Sequence, residues 1–174
     1  MTDPSFFNPY SSSLDSLDAN FILYRDKDNP NYKKDAIAFI KLPSKAKKMI
    51  HQDIELAKEL GAYGVHLTSA QFDKIRRAKE LGLFVVVSTH SLEEIKRASV
   101  LGADAVTFSP IFPTPNKGKP KGVEGLKEAV KGCEIKIIAL GGIVTKAHIE
   151  KIKKSGAWGF ASIRYFEKSY NTLN

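Results

Sequence analysis

One phrase recurs along this chain from Pro43 onward: a short apolar, β-branched run, a polar turn, then a helix-period segment closing near "LG" or "SG". The apolar runs are "KKMI" at 47–50, "YGVHL" at 63–67, "LFVVVS" at 83–88, "DAVTF" at 104–108, "KIIAL" at 136–140 and "WGFASI" at 158–163. Helical segments fall between them, around 54–60, 69–81, 92–101, 123–130 and 145–154. Upstream, "NFILYRDKD" supplies a further strand at 21–24, followed by a weak helix at 36–42 that Pro43 cuts off. Strands separated by helix-sized intervals call for parallel pairing through crossover helices, so the class is α/β. Runs apolar almost throughout suit strands buried on both faces. In "SLEEIKRASVLG", Ser91 offers an N-cap with Glu94 three residues on, and Leu92, Ile95, Ala98 and Leu101 mark one helical face.

Two closures of such a sheet compete. A doubly wound open sheet would bring a glycine-rich dinucleotide turn, and none follows any strand. Seven regular phrases favour a compact (β/α)8 TIM barrel instead, whose first strand is short or missing because only "MTD" is available for it. At 174 residues the chain is short for that barrel and is expected to form a single domain over 1–174.

Composition narrows the function classes. The apolar fraction is 43% and the charged fraction 26%, as in an ordinary globular protein. Cys133 stands alone, which excludes an internal disulfide and a cysteine-cluster metal site. No apolar run approaches membrane-spanning length, and "MTDPSFFNPYSSS" lacks the basic start and apolar core of a secretory signal, so a cytoplasmic location and no membrane partner are expected. The net charge of +8 raises nucleic acid as a partner. Against it, the lysines lie mostly on helices, as Lys146, Lys151, Lys153 and Lys154 do around Glu150, and no RNA- or DNA-binding signature occurs. Small anionic ligands fit the charge equally well.

In a barrel the chemistry sits at the C-terminal ends of the strands. Those positions carry Arg25, Asp26, Lys27 and Asp28; His51, Gln52 and Asp53; His66, Thr68 and Ser69; and Ser88, Thr89 and His90. Further along come Thr114, Pro115, Asn116 and Lys117, then Gly141 and Gly142, then Ser162, Ile163 and Arg164. Basic, hydroxyl and glycine residues suit phosphate oxygens, because glycines admit backbone N–H groups and helix N-termini add dipoles. The stretch 109–122, "SPIFPTPNKGKPKG", is a loop with four prolines and three lysines, from which Lys117 can reach a pyrophosphate as a mobile charge. Plainer readings stand beside these. Gly141–Gly142 also suits a tight turn, and Arg25 and Lys27 also suit a surface ion-pair cluster with Asp26 and Asp28. His90 suits an acid–base group or a helix cap, His66 a hydrogen-bonded core residue, and His148 an exposed helical position.

The stretches "YRDKD", "ELAKELGAYGVHL", "VVVSTHSLEEIKRASVLGADAVTFSPIFPTPNKGKPKGVEGL" and "IIALGGI" resemble the thiamine-phosphate synthase family, which includes the TenI-like thiazole tautomerases. The resemblance runs from Leu23 to Ile163 and is most specific from Val85 to Leu126. It implies a transferase of thiamine biosynthesis that couples hydroxymethylpyrimidine diphosphate with thiazole phosphate, giving thiamine phosphate and pyrophosphate. It further implies that Arg25, Lys27, Ser88 and Lys117 face the pyrophosphate, and that Thr114, Pro115, Asn116, Gly141, Gly142, Ile163 and Arg164 hold the thiazole phosphate. The family's Thr-x-Thr-Lys element is matched at Thr114 and Lys117, with Asn116 in place of the second threonine. Its magnesium aspartates fall on Gln52 and Gln71, so the implied Mg2+ site is weakened, and no organic cofactor is implied. The tautomerase's characteristic histidine falls on Pro110, which leaves His51 or His90 to carry a proton. A tautomerase and a non-catalytic thiazole-phosphate binder are the alternative readings. Small phosphorylated substrates are the expected partners, and a homo-oligomer suits all three.

Overall fold

The computed structural model describes residues 18–166. Seven strands form one sheet: β1 (Phe21–Tyr24), β2 (Lys47–His51), β3 (Gly64–Leu67), β4 (Phe84–Thr89), β5 (Ala105–Phe108), β6 (Lys136–Leu140) and β7 (Gly159–Ala161). Every neighbouring pair is parallel and the spatial order is the chain order, β1 through β7. Helices α1 (Tyr32–Lys41), α2 (Ile54–Glu59), α3 (Ile75–Glu80), α4 (Leu92–Val100), α5 (Gly122–Gly132) and α6 (Lys146–Lys153) make the crossovers, as parallel pairing demands. The doubly wound alternative would reverse the strand order partway, and this sheet does not.

The sheet curls. Phe21 of β1 lies 5.7 Å, centroid to centroid, from Trp158, which leads into β7, although no pairing joins those two strands. The "MTD" segment expected to supply a further strand lies outside the described residues. Curling divides the apolar residues into two groups. Alternate residues of one face join the large core beneath the helices, around Val65, Val85, Val87, Val106, Ile137 and Phe39. The opposite face forms an inner plug of Met49, Val86 and Ala105 with Phe21, Leu23, Phe84 and Ile138.

Local chemistry explains the helix boundaries. Asp53, Ser91 and Thr145 each accept from a backbone N–H in the first turn of α2, α4 and α6. Glu94 closes the cap of α4 one residue further out than a capping box does, accepting from His90 N at 2.5 Å. The helix expected at 69–81 begins later. A turn at Thr68–Gln71 precedes a short 3-10 segment, Phe72–Lys74, and α3 follows it. The N-terminal part of that segment is diverted because the Gln71 side chain accepts from Thr68 N.

Gly64 opens β3 where the sheet leaves no room for a side chain. A Cβ there would lie 2.1 Å from the backbone oxygen of Phe84, an obstacle no rotamer change relieves. Gly64→Ala is therefore expected to lower stability by about 3 kcal/mol, the upper range for overpacking. Urea unfolding followed by circular dichroism checks it, with a reduced midpoint at an unchanged slope.

Candidate functional site

Three loops at the C-terminal ends of β5, β6 and β7 are laced to one another. Ile111 N donates to Leu140 O at 2.9 Å and Phe112 N to Gly141 O at 3.1 Å, so the loop after β5 continues alongside the end of β6. Lys121 N and Gly122 N return to Pro110 O and Ile111 O, closing the base of that loop. Gly141 and Gly142 both have positive φ, at 97° and 67°. A Cβ on Gly141 would meet Pro110 at 2.8 Å, and one on Gly142 would meet Pro113 O at 2.6 Å. The diglycine is thus a tight turn that admits a close approach of the loop after β5, in line with the plainer of its two sequence readings. Ser162 Oγ, buried, donates to Ile143 O at 2.7 Å and accepts from Tyr165 N, tying the end of β7 to the same place.

The base of the loop is anchored and its tip is open. Ile111 is buried, and the Phe112 ring stacks on His148 of α6 at 4.1 Å. His148 is therefore half-buried against the loop and not an exposed helical residue. Thr114 Oγ1 donates to Phe112 O, and Lys117 N closes a turn on Thr114 O. Pro115 and Asn116, with φ of 57°, fill the central positions as a type II turn requires. Lys117 is exposed at this tip. Arg164 is exposed after β7 and Ile163 is half-buried.

A polar layer lines the curled face above the apolar plug. In register, His51 pairs with His66 and Ser88 with Thr107. The His51 and His66 rings stack at 5.7 Å, and Ser88 Oγ lies 3.3 Å from His66 Nε2. Two buried atoms there have no protein partner: His66 Nδ1 and Thr107 Oγ1. Burial, with the nearby Arg25 and Lys27 charges, pushes His51 down to about 4. Burial, with His51 and Arg25, pushes His66 down to about 3. Both imidazoles are neutral at neutral pH.

Sequence reasoning missed Tyr32. Its hydroxyl accepts from His51 N at 3.1 Å and lies 3.2 Å from Tyr24 O, so α1 clamps the ends of β1 and β2. Burial pushes the phenol up to about 12, which keeps it protonated. Nothing in the local pattern singled it out. His90 is exposed, and its Nδ1 lies 3.1 Å from Ser109 O, which makes that nitrogen the protonated one.

Gln52 and Gln71, where the resemblance implies magnesium ligands, have other work here. Gln71 Oε1 accepts from Thr68 N and Thr68 Oγ1, and its Nε2 donates to Gln52 O at 3.3 Å. Gln52 sits at a φ of 68°, with its N bonded to His66 O. Asp53 caps α2. Among the described residues no three His, Cys, Asp or Glu side chains group as metal ligands. A hard cation seeks carboxylates, so this donor set does not fit magnesium.

A curled, all-parallel sheet with its chemistry-bearing residues at the C-terminal strand ends defines a barrel-like α/β protein. The fold is similar to that of thiamine phosphate pyrophosphorylase from Pyrococcus furiosus, with a TM-score of 0.77 at 24% identity over 99% of this chain and 92% of that one. Residues 10–166 match the family model for thiamine monophosphate synthase. The chain belongs to the thiamine-phosphate synthase family. It is 36% identical over 120 residues to the thiamine-phosphate synthase of Bacillus velezensis and 34% over 119 to that of Caldivirga maquilingensis. Each match takes in 66% of this chain, but only 53% and 57% of those relatives, so the chain spans little more than half their length.

Two outcomes follow from this geometry. Gly142→Ala is expected to cost about 2 kcal/mol through strain at positive φ and overpacking, read as a lowered urea midpoint. The histidines set a pH dependence. Because both folded values lie below the ordinary 6.5, the unfolded chain takes up protons first as pH falls. Stability is full above about pH 6.5 and declines from there toward about pH 4, by at most about 1.4 kcal/mol per pH unit for each histidine. Thermal melts across that window are expected to show a falling Tm, and a shallower fall in His66→Asn.

Proposed function

We propose that this protein is a transferase of thiamine biosynthesis, coupling hydroxymethylpyrimidine diphosphate with thiazole phosphate. The C–O bond between the pyrimidine methylene and its diphosphate breaks, its electron pair leaving with pyrophosphate. The thiazole nitrogen supplies the pair for the new C–N bond, giving thiamine phosphate. The observation that carries the reading is the lacing of the loop after β5 to Leu140 and Gly141, which packs Phe112 and Pro113 on Gly142 and carries the exposed Lys117 at the loop's tip. Thr114, Pro115, Asn116, Gly141, Gly142, Ile163 and Arg164 hold the thiazole phosphate in this reading. Arg25, Lys27, Ser88 and Lys117 stabilise the departing pyrophosphate, the main electrostatic task of such a displacement.

Base strength separates this reading from the tautomerase. An imidazole held near 4 is a weak base at neutral pH, so His51 is poorly matched to proton abstraction. We further read the seven strands as part of a (β/α)8 barrel, the chain 1–174 as one domain, and its place of work as the cytoplasm. Among the described residues no helix is long and apolar enough to cross a membrane.

Incubation with both substrates, followed by chromatography, tests the reading. Thiamine phosphate and pyrophosphate are expected in equal amounts, and Lys117→Ala is expected to lower turnover about 100-fold with a smaller change in KM. No product from a chain that still binds thiazole phosphate would make it a non-catalytic binder.

A further inference from the structure

We propose that this chain holds the pyrophosphate group with fixed protein cations alone and contributes no ligand to a divalent metal ion. The inference rests on the reading of the strand ends as a phosphate and pyrophosphate site. It starts from the Gln71 carboxamide, which is fully used. Its oxygen takes two donors from Thr68 and its nitrogen reaches Gln52 O, so the amide joins the loop after β3 to the turn after β2. Turning either group toward a metal would break that clasp. The Gln52 backbone is held from both sides, its N on His66 O and its O on Gln71, and its side chain offers a metal only a neutral amide oxygen. Asp53 commits one carboxylate oxygen elsewhere, its Oδ1 capping α2 at Leu56 N, 2.9 Å away.

Positive charge already occupies the neighbourhood. Tyr24 pairs with Ile50, so Arg25 follows β1 at the level of His51, and Lys27 lies two residues beyond. A divalent ion brought to Gln52 would find a neutral amide at that position and the guanidinium and ammonium groups of Arg25 and Lys27 nearby, and like charges at short range repel strongly in a partly dry site. A diphosphate meets the opposite situation. Arg25 can bind two of its oxygens in one plane, while Lys27 and Lys117 add point charges from either side. The clasp then has a positive function: it keeps the turn after β2 shaped for the anion without an ion to organise it.

Calorimetric titration of inorganic pyrophosphate into the full chain, in EDTA and in millimolar magnesium, tests this. The Kd is expected to be no weaker in EDTA than in magnesium, and Arg25→Ala is expected to weaken binding about tenfold in both buffers. A protein-held ion would instead tighten binding about tenfold or more when magnesium is added, and that result overturns the proposal. So does a failure to bind pyrophosphate in either buffer. Gln52→Asp with Gln71→Asp is expected to acquire magnesium-dependent tightening of about tenfold. A folded double variant, judged by a cooperative melt, that gains none would count against these positions, and the wild-type titration stands if the variant does not fold. Binding without product formation would remove the coupling reaction and leave this inference intact.

Discussion

Backbone meets backbone at Gly142 with no room for a single extra carbon, and the candidate site is built outward from that contact. Ordering a loop costs roughly 1–2 kcal/mol of backbone entropy per residue, while a hydrogen bond returns about 1 kcal/mol net. The four backbone bonds at the base of the 109–122 loop cannot balance that alone. Burial of Ile111 and stacking of Phe112 on His148 supply the rest, and both act at the base. Residues 115–119, all exposed, receive no such support. A loop rigid at its root and open at its tip follows from where its apolar residues stand, and the tip is where Lys117 is carried.

The polar layer beneath depends on the same curvature. Curling turns His51, His66, Ser88 and Thr107 toward one another and away from bulk water, which is why both imidazoles lose their charge. Neutral rings leave Arg25 and Lys27 as the positive groups beside this layer on the β1 side. His66 Nδ1 and Thr107 Oγ1 are buried without protein partners, in a fold whose other buried side-chain polar atoms are satisfied among the described residues. Such atoms mark the interior of the site as a place for a polar guest.

Much of this was legible in the chain. The strands at 21–24 and 136–140 have the expected bounds, and the other five differ by one to two residues at their ends. Apolar runs between glycine-marked turns carry that information locally. The helix at 69–81 failed because Gln71 acts through its side chain, and an amide bonding to a backbone three residues earlier leaves no trace in periodicity. Tyr32 and His148 were missed for a related reason: their partners, His51 and Phe112, are brought to them only by the crossover geometry. The tight turn at the diglycine was legible, and the close approach of the Pro110–Pro113 segment that it admits was not.

In the proposed coupling reaction, exchanging a metal for side-chain cations would change the end of the reaction as well as its transition state. A bound ion can depart with the pyrophosphate it neutralises, whereas Arg25 and Lys27 stay attached to the chain and continue to attract the product. Release then depends on the mobility of the remaining partner. Lys117 is the cation suited to that role, because it projects from an exposed turn closed by Lys117 N on Thr114 O. Arginine's planar fork and lysine's flexible point charge divide the task accordingly. The proline-stiffened loop around Lys117 limits how far the charge can travel without fixing it in place, so a cation delivered on a tip can strengthen the leaving group's hold in the transition state and withdraw when the bond is broken.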